Sequence, residues 1–276
     1  MQTAKVTLTC DGGRLTNTAD NIRTVLEVRA GTVTGCLIYR TMNTVASCCA
    51  DTVSIHMASG VVFRGNTVLW GVDGSLDISN CDDCLIEQNI IAESLNCATH
   101  LSGCHSFLSL VRDSRRVRFV HNVLASSKAR LPQFQNCQDC AFLNNVIANY
   151  DGAGTQVTFC TELDYADNFG LRGQDTDAIA YLIVLSNIAN LPPDACRPKV
   201  FLANNSVDFY RITRPFDEKQ GVYVAAPLTA YYPLPAGDVW TAREIVDKSG
   251  AHGAETERVR ACVLAGDCTI RDAPPG

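Results

Sequence analysis

A short phrase that ends in asparagine recurs along the chain, as Phe63-Arg-Gly-Asn66, Ile86-Glu-Gln-Asn89, Phe119-Val-His-Asn122, Leu143-Asn-Asn145 and Tyr165-Ala-Asp-Asn168. Arg40-Thr-Met-Asn43 precedes this series, and Phe201-Leu-Ala-Asn-Asn205 follows it. From Asn43 to Asn168, successive asparagines are 23, 23, 33, 23 and 23 residues apart. The single longer interval contains ten extra residues, which we assign to a loop between Cys97 and Cys104.

This period predicts a solenoid, because short strands separated by turns at a fixed small spacing are typical of one. At about 3.3 Å per residue, one repeat is long enough for three short strands and their turns. An asparagine at the same bend of every coil can hydrogen-bond to its neighbours above and below, and it tolerates a left-handed corner. The sequence therefore predicts an all-β fold, a right-handed parallel β-helix with coils of about 23 residues.

The repeat ends near residue 205, so we assign coils to residues 1–205 and a packed C-terminal segment to residues 206–276 of the same domain. Four prolines (Pro215, Pro227, Pro233 and Pro235) predict an extended stretch along the outside of the solenoid. Thr241 with Glu244 forms a capping-box pattern and Gly250 a stop, which predicts one short helix. We expect this segment to cover one end of the solenoid, and Met1–Ala30 to form either a shortened cap or an exposed edge.

Composition limits the partners of the protein. The net charge of −6 argues against nucleic acid, and 46% hydrophobic residues argue against disorder. The longest apolar runs, such as Ala178–Ile183, are too short to cross a bilayer. We expect a monomer that binds neither nucleic acid nor membrane. The chain does not begin with a basic stretch followed by an apolar one, so we expect an export signal to have been removed or never present.

Fourteen cysteines favour an oxidising compartment and predict a secreted, periplasmic or extracellular protein. Cys137 and Cys160 occupy the same position in successive repeats, so they are candidates for a bridge. Two alternative roles for the cysteines stay open. The CxxC units at Cys81 and Cys137 could bind zinc, or the cysteines could be reduced and buried as small hydrophobic residues.

Several motifs lie on this register in a characteristic order: Val72-Asp-Gly-Ser-Leu-Asp-Ile78, Glu93-Ser-Leu-Asn96 with His105-Ser106, Leu124-Ala-Ser-Ser-Lys-Ala-Arg-Leu-Pro132, and Phe142-Leu-Asn-Asn-Val-Ile-Ala-Asn149. They resemble the pectate lyase family of polysaccharide lyases. The resemblance spans about residues 50 to 270. It implies calcium-assisted β-elimination of an acidic, uronate-containing polysaccharide.

The resemblance also implies roles for individual residues. Asp73 and Asp77 match calcium ligands, and Asp51 could supply a third oxygen. Arg130 matches the catalytic base, with Lys128 as a cationic neighbour that favours its neutral form. His105 could act as an acid or base, and Glu93 could join the metal ligands. Each of these residues could instead have a purely structural role, as a turn cap, a solvent-facing carboxylate or a member of a surface ion pair.

The sequence departs from the family pattern at three positions. The resemblance implies a carboxylate where Arg64 stands, which argues against calcium and suggests that Arg64 holds the substrate carboxylate instead. Gln133 or Gln135 stands where the family carries a second arginine, and the family's lysine is absent near Asn96 to Ser102. Substrate binding would then fall to Arg64, Lys128, Arg112 and these glutamines.

Three functions are consistent with these residues. The first is a polysaccharide lyase with Arg130 as base. The second is a carbohydrate-binding or adhesive β-helix without catalysis, which the altered positions suggest. The third is a glycoside hydrolase that uses two of Asp51, Asp73 and Asp77.

Overall fold

The computed structural model of the chain describes residues 7–16, 24–40, 51–186, 196–208, 211–213 and 221–275. Its strands, numbered in chain order, pair in parallel and form three long sheets. Each coil gives one strand to each sheet, so the chain is the right-handed parallel β-helix that the asparagine period predicts.

The first sheet contains nine strands: β1 (Thr7–Thr9), β4 (Gly31–Thr34), β7 (Ser59–Arg64), β10 (Asp82–Glu87), β13 (Arg115–Val120), β16 (Cys140–Leu143), β19 (Glu162–Ala166), β22 (Lys199–Ala203) and β25 (Val222–Val224). The second contains eight: β2 (Arg14–Thr16), β5 (Leu37–Tyr39), β8 (Thr67–Leu69), β11 (Ile90–Ala92), β14 (Val123–Ser127), β17 (Val146–Tyr150), β20 (Phe169–Leu171) and β23 (Ser206–Val207). The third also contains eight: β3 (Leu26–Val28), β6 (Val53–His56), β9 (Leu76–Ser79), β12 (Leu110–Arg112), β15 (Gln133–Gln135), β18 (Ala153–Thr158), β21 (Tyr181–Leu185) and β24 (Arg211–Thr213).

The core fills the inside of the coils because alternate side chains of each strand point inward. In the first sheet the paired residues form one buried column, which runs through Phe63, Ile86, Phe119, Phe142 and Tyr165. The rings of Phe142 and Tyr165 stack with their centres 5.1 Å apart. One apolar residue per coil at this position therefore forms a continuous column, which is one of several in the core.

The predicted asparagine ladder is present. The Asn89 Oδ1 atom accepts from the Asn66 backbone N–H at 2.9 Å, and the same contact joins Asn122 to Asn89 at 3.0 Å and Asn145 to Asn122 at 2.8 Å. The ladder continues through Asn168 to Asn205. Asn43 lies outside the described residues.

Asn122 gives a test of the ladder. Its side chain donates to the Ile86 carbonyl and to Asn145, and it accepts from the N–H and the side chain of Asn89. Asn122→Ala leaves those buried groups unpaired, so we expect it to lower the free energy of unfolding by about 2–4 kcal/mol. Asn136→Gly, at an exposed asparagine whose left-handed backbone (φ 54°) glycine also adopts, is the control and should change it by less than about 1 kcal/mol in a urea titration. Equal effects of the two substitutions would contradict a structural role for the ladder.

The described disulfides are Cys10–Cys36, Cys81–Cys84, Cys97–Cys104, Cys160–Cys196 and Cys262–Cys268. The predicted Cys137–Cys160 bridge is wrong, because Cys160 pairs with Cys196 in the following coil while Cys137 and Cys140 are free and buried. Since the thiols of Cys81 and Cys84 are oxidised, this CxxC unit offers no thiolates to zinc. Cys97–Cys104 closes the ten-residue insertion as predicted.

The coils continue past the predicted boundary at residue 205, because β23, β24 and β25 still pair with the preceding coil. The predicted helix is present as α1 (Ala242–Lys248), with the Thr241–Glu244 capping box and with Gly250 shortly after its end. A second helix, α2 (Ala254–Ala265), was not predicted. No described helix has the length and apolar character needed to span a membrane.

The C-terminal segment covers a flank of the solenoid rather than an end, which corrects the expectation of an end cap. Ile245, Val246 and Val259 of the two helices pack on apolar side chains of the second sheet. The extended stretch is attached to the first sheet by buried Asp164, which accepts from the backbone N–H groups of Leu228 and Thr229 at 2.8 and 3.0 Å. Two sheets are thus partly covered, and the third carries the candidate site.

Candidate active site

An open cavity of about 380 Å³ lies on the outer face of the third sheet, near its middle. Its walls are polar and bring together residues that are far apart in sequence: Asp51, Ser54, His56, Asp73, Asp77, Ile78, Ser79, Leu110, Arg112 and Arg130. Stacked coils are about 4.8 Å apart, so residues one repeat apart in sequence become neighbours. The strand register shows which of these residues are neighbours: Ser54 pairs with Asp77, and Ser79 lies between His56 and Arg112.

Two carboxylates of the site are held by backbone donors. Asp51 accepts from the Gly74 N–H at 3.2 Å, and Asp77 accepts from the Leu110 N–H at 2.9 Å. Burial, followed by the charges of Asp77 and Asp73, raises the pKa of Asp51 well above its usual value. Burial likewise raises the pKa of Asp77 to about 7, against the opposing Leu110 hydrogen bond. The two groups therefore resist ionisation unless a positive charge joins them.

Gly74 leaves space between these carboxylates. A Cβ atom at this position would lie 2.6 Å from Asp77 Oδ1 and 3.0 Å from Asp51 Oδ1. Only glycine fits there without displacing a carboxylate, since real Cβ contacts are longer. Both oxygens thus face the same small volume, and hard oxygen donors are the ligands that Ca²⁺ prefers.

Arg130 lies at the other side of the cavity, immediately before the cis Leu131–Pro132 peptide and β15. Its guanidinium carbon is 4.1 Å from the centre of the Phe107 ring. Burial lowers the pKa of Arg130 below its usual value, and the charges of Asp77 and Asp73 oppose that shift. Neutralising those carboxylates would lower the pKa further.

Arg40 lies beneath the cluster and is fully buried. Its Nη1 atom donates to the Asp51 backbone carbonyl at 3.1 Å. Burial lowers the pKa of Arg40, and the Asp51 charge opposes this shift. Arg40 therefore provides a positive charge on the inner side of Asp51.

His105 reaches the site from the end of the disulfide-closed insertion. Its Nε2 atom lies 3.0 Å from Asp73 Oδ1, and His100 Nε2 lies 3.6 Å from the same oxygen. The two imidazoles stack with their centres 3.8 Å apart and their planes 8° apart. Burial, followed by His100, lowers the pKa of His105.

Asp73, His100 and His105 are close enough to one another to be considered as a nitrogen-rich metal site. Imidazole lone pairs lie in the plane of the ring, so two stacked rings direct theirs along parallel lines rather than toward one ion. The stacking therefore favours a different role, in which His105 holds Asp73 in position by a hydrogen bond and His100 packs against the His105 ring.

The predicted position of Arg64 requires a correction. Arg64 is the last residue of β7 in the first sheet, and its Nε atom pairs with Glu87 at 2.6 Å. It does not line the cavity, so it neither replaces a carboxylate beside Asp73 nor meets a substrate bound there. The carboxylate contributed by the preceding coil is Asp51.

Three further residues with predicted roles, Lys128, Gln133 and Gln135, lie outside the cavity lining. Lys128 follows β14 and its backbone N–H donates to Ser106; its side chain is outside the cavity lining. Gln133 and Gln135 face outward on β15, next to Leu110 and Arg112 of β12. Their predicted roles and that of Lys128 stay predictions.

Glu93 is buried away from the cavity, where it accepts from both Nη atoms of Arg258 at 2.6 Å and from Trp70 Nε1 at 2.9 Å. Its predicted place among the metal ligands is wrong, because these contacts attach helix α2 to the coils.

Two further histidines have different surroundings. His56 lines the cavity, and its Nδ1 atom is 2.7 Å from Ser79 Oγ. His121 is buried and stacked on Trp240.

Sequence reasoning missed Arg40, Gly74, His100 and Phe107. His100 had a usable signal, because a histidine inside a cysteine-closed insertion next to His105 is a reasonable candidate for a site. Arg40 had none, since nothing in its sequence context distinguishes a buried arginine from an exposed one.

No protein family model matches the chain. A probable pectate lyase C of Emericella nidulans is 26% identical over 132 residues, which is 48% of this chain. The match covers 29% of the length of that fungal protein.

Solved structures give a similar result. The structure of a thermostable pectate lyase superimposes with a TM-score of 0.52 at 16% identity, and the match covers 83% of this chain and 69% of that one. A second pectate lyase gives a TM-score of 0.42 at 8% identity, over 91% of this chain and 70% of that one. The chain is therefore similar in sequence to a pectate lyase over about half of its length, and its right-handed parallel β-helix is similar to the fold of a solved pectate lyase.

Proposed function

We propose that the protein is a polysaccharide lyase that cleaves an acidic, uronate-containing glycan by β-elimination, with Arg130 as the base. The observation that carries the proposal is the cavity itself. The half-buried Arg130, a second arginine (Arg112), the buried carboxylate of Asp51 and the half-buried carboxylate of Asp77 line one open groove on the third sheet. An acidic sugar needs cationic groups for its carboxylate and a base for its proton, and this groove offers both.

We also propose that Asp51, Asp73 and Asp77 hold a divalent cation, with calcium as the natural choice for an all-oxygen site. The raised pKa values of Asp51 and Asp77 and the space at Gly74 support this assignment. The sequence-based argument against calcium depended on Arg64, which the structure places on another sheet. When bound, the cation would withdraw charge from the substrate carboxylate and so acidify the neighbouring C5–H.

The residues of the chain account for the remaining chemistry. Arg112 orients the uronate carboxylate, together with the cation that Asp51, Asp73 and Asp77 would hold. Arg130, in its neutral form, removes the C5 proton, and the C–H electrons become the C4–C5 double bond as the C4–O4 bond breaks. The leaving oxygen takes a proton from water or from His105, which the stacked His100 and Asp73 hold at the edge of the site.

The test is a panel of uronate polymers, including polygalacturonate, incubated with the protein in calcium and in chelator. A lyase releases an unsaturated product that absorbs in the ultraviolet. Binding without any product would favour the adhesive alternative and contradict the proposal.

A glycoside hydrolase is the second candidate, and the raised pKa of Asp77 favours it, because a carboxyl group with a pKa of about 7 can act as a general acid. The same assay distinguishes the two reactions. Hydrolysis gives new reducing ends without the unsaturated product.

The cation site predicts a dependence of stability on pH. The pKa of Asp77 is raised from 3.8 to about 7 on folding, so its contribution to stability is fully present below about pH 4 and is lost as pH rises through 7. In chelator at pH 8, we expect Asp77→Asn to raise Tm by about 4–8 °C over the wild type, through roughly 2 kcal/mol.

Calcium should then stabilise the wild type and not Asp77→Asn, because only the protein that binds it gains stability. Asp83→Asn, at an exposed aspartate of the first sheet, is the control and should behave as the wild type. If calcium stabilised Asp77→Asn equally, Asp77 would not be a ligand.

We further propose that the protein is extracellular. The described disulfides support this location, because thiols stay reduced in the cytosol.

A further inference from the structure

The three strands of the third sheet that follow the cavity carry no charge. These strands, β15, β18 and β21, read QFQ, AGTQVT and YLIVL, without an acidic or basic residue. In the same region of the solenoid, β19 and β22 of the first sheet read ELDYA and KVFLA. The strand charges of the third sheet are thus interrupted beyond Arg112, at the edge of the cavity, and resume at Arg211 of β24.

Amide side chains continue the outer face of the sheet from that point. Gln133 pairs with Leu110 of the cavity wall and Gln156 pairs with Gln133, while Gln135 pairs with Arg112. Between them, Phe134 and Val157 point into the core and are fully buried, so the glutamines face outward. A glycan chain that runs along the sheet from the cavity would pass over them, one coil after another.

This surface suits uncharged sugars. A fully ionised polyuronate brings a carboxylate with every unit, and a carboxylate desolvated without a cationic partner is unfavourable. Amides, in contrast, donate to and accept from sugar hydroxyls and ester carbonyls. The Gln133 Nε2 contact with Thr158 Oγ1 is long, at 3.5 Å, so this amide is readily available to a ligand.

We propose that the substrate carries its essential carboxylate at the cleavage site only, and that the sugars over β15 and β18 are uncharged. Such sugars are either methyl-esterified uronates or neutral sugars that alternate with uronate. This inference rests on the proposed lyase function and specifies its substrate. Gln133, Gln135 and Gln156 are then the residues that determine specificity.

The test compares kcat/KM on three polymers: fully ionised polygalacturonate, the same polymer partly methyl-esterified, and a polymer in which uronate alternates with a neutral sugar. At low ionic strength we expect one of the two low-charge polymers to exceed polygalacturonate by about tenfold or more. The polymer with the higher value identifies which kind of uncharged sugar is bound. Affinity electrophoresis in gels that contain the same polymers measures the preference independently of turnover.

Charge-adding variants give the sharper result. Gln133→Arg and Gln135→Arg each supply a partner for a substrate carboxylate, which should raise the relative kcat/KM on polygalacturonate by up to about fivefold, an effect that added salt removes. Gln174→Arg, at an exposed glutamine away from the strands of the sheet, is the matched control and should leave the ratio unchanged.

The outcomes separate the two proposals. A preference for polygalacturonate in both assays, or an unchanged ratio in Gln133→Arg and Gln135→Arg, overturns the specificity inference while the lyase function stands. Absence of product from all three polymers overturns the lyase function, and the electrophoretic order of the polymers then still decides the preference of the surface.

Discussion

Arg130→Ala should lower kcat on the preferred uronate polymer by about 100- to 10,000-fold, because it removes the general base from the cavity. Arg130 is the cationic residue of the cavity whose pKa burial lowers, which brings its neutral form within reach. The measurement is the initial rate of unsaturated product at saturating substrate. Since the side chain packs over Phe107 near the surface, we expect the variant to remain folded, and a thermal melt checks this.

Arg115→Ala is the matched control for the loss of an arginine. Arg115 is an exposed residue of the first sheet that pairs with Asp139 at 3.1 Å, so its removal should leave the rate within about twofold. The pH profile adds a second readout. An Arg130→Ala protein that kept a tenth of the activity with an unchanged profile would rule out Arg130 as the base.

Glu93→Gln should cause the largest loss of stability, about 3–5 kcal/mol, or roughly 6–15 °C in Tm. Glu93 is almost fully buried, and its carboxylate pairs with Arg258 at 2.6 Å and with Arg271 at 3.2 Å. Although burial alone would raise it, the Arg258 contacts lower the pKa of Glu93. The substitution leaves two cations facing a neutral amide where the C-terminal segment meets the coils.

The Glu93–Arg258 pair should also make the stability of the protein sensitive to acid. Because the pKa of folded Glu93 is depressed, its contribution is present above its ordinary value of 4.5 and is lost as pH falls through the folded value. Glu162→Gln is the control, since the Glu162–Lys199 pair lies at the surface, and it should cost less than about 1 kcal/mol. Urea titrations of both variants measure the loss in the free energy of unfolding. Equal losses would mean that the buried Glu93–Arg258 pair stabilises the protein no more than the surface pair does.

The repeat determined most of the fold from sequence alone. An asparagine every 23 residues has one physical explanation, a ladder of buried amides, and the hydrogen bonds from Asn66 to Asn205 confirm it. The same period brought the segments that carry Asp51, Asp77 and Arg130 to one face, because residues one coil apart stack, as Gly74 does on Asp51 and Asp77 on Ser54. The Thr241–Glu244 cap was equally readable, since its contacts are local.

What the sequence left undecided was the position of residues within a single coil. Arg64 and Asp73 are close in sequence, yet between them the chain leaves the first sheet, passes through β8 of the second and turns toward the third. A period does not reveal where such turns fall. His100, Arg40 and the helices on the second sheet depend on contacts between distant segments, such as the Arg258–Glu93 pair. Local propensity and spacing fixed the repeat and the stacking of equivalent positions, whereas only tertiary packing decided which face each side chain occupies and what covers it.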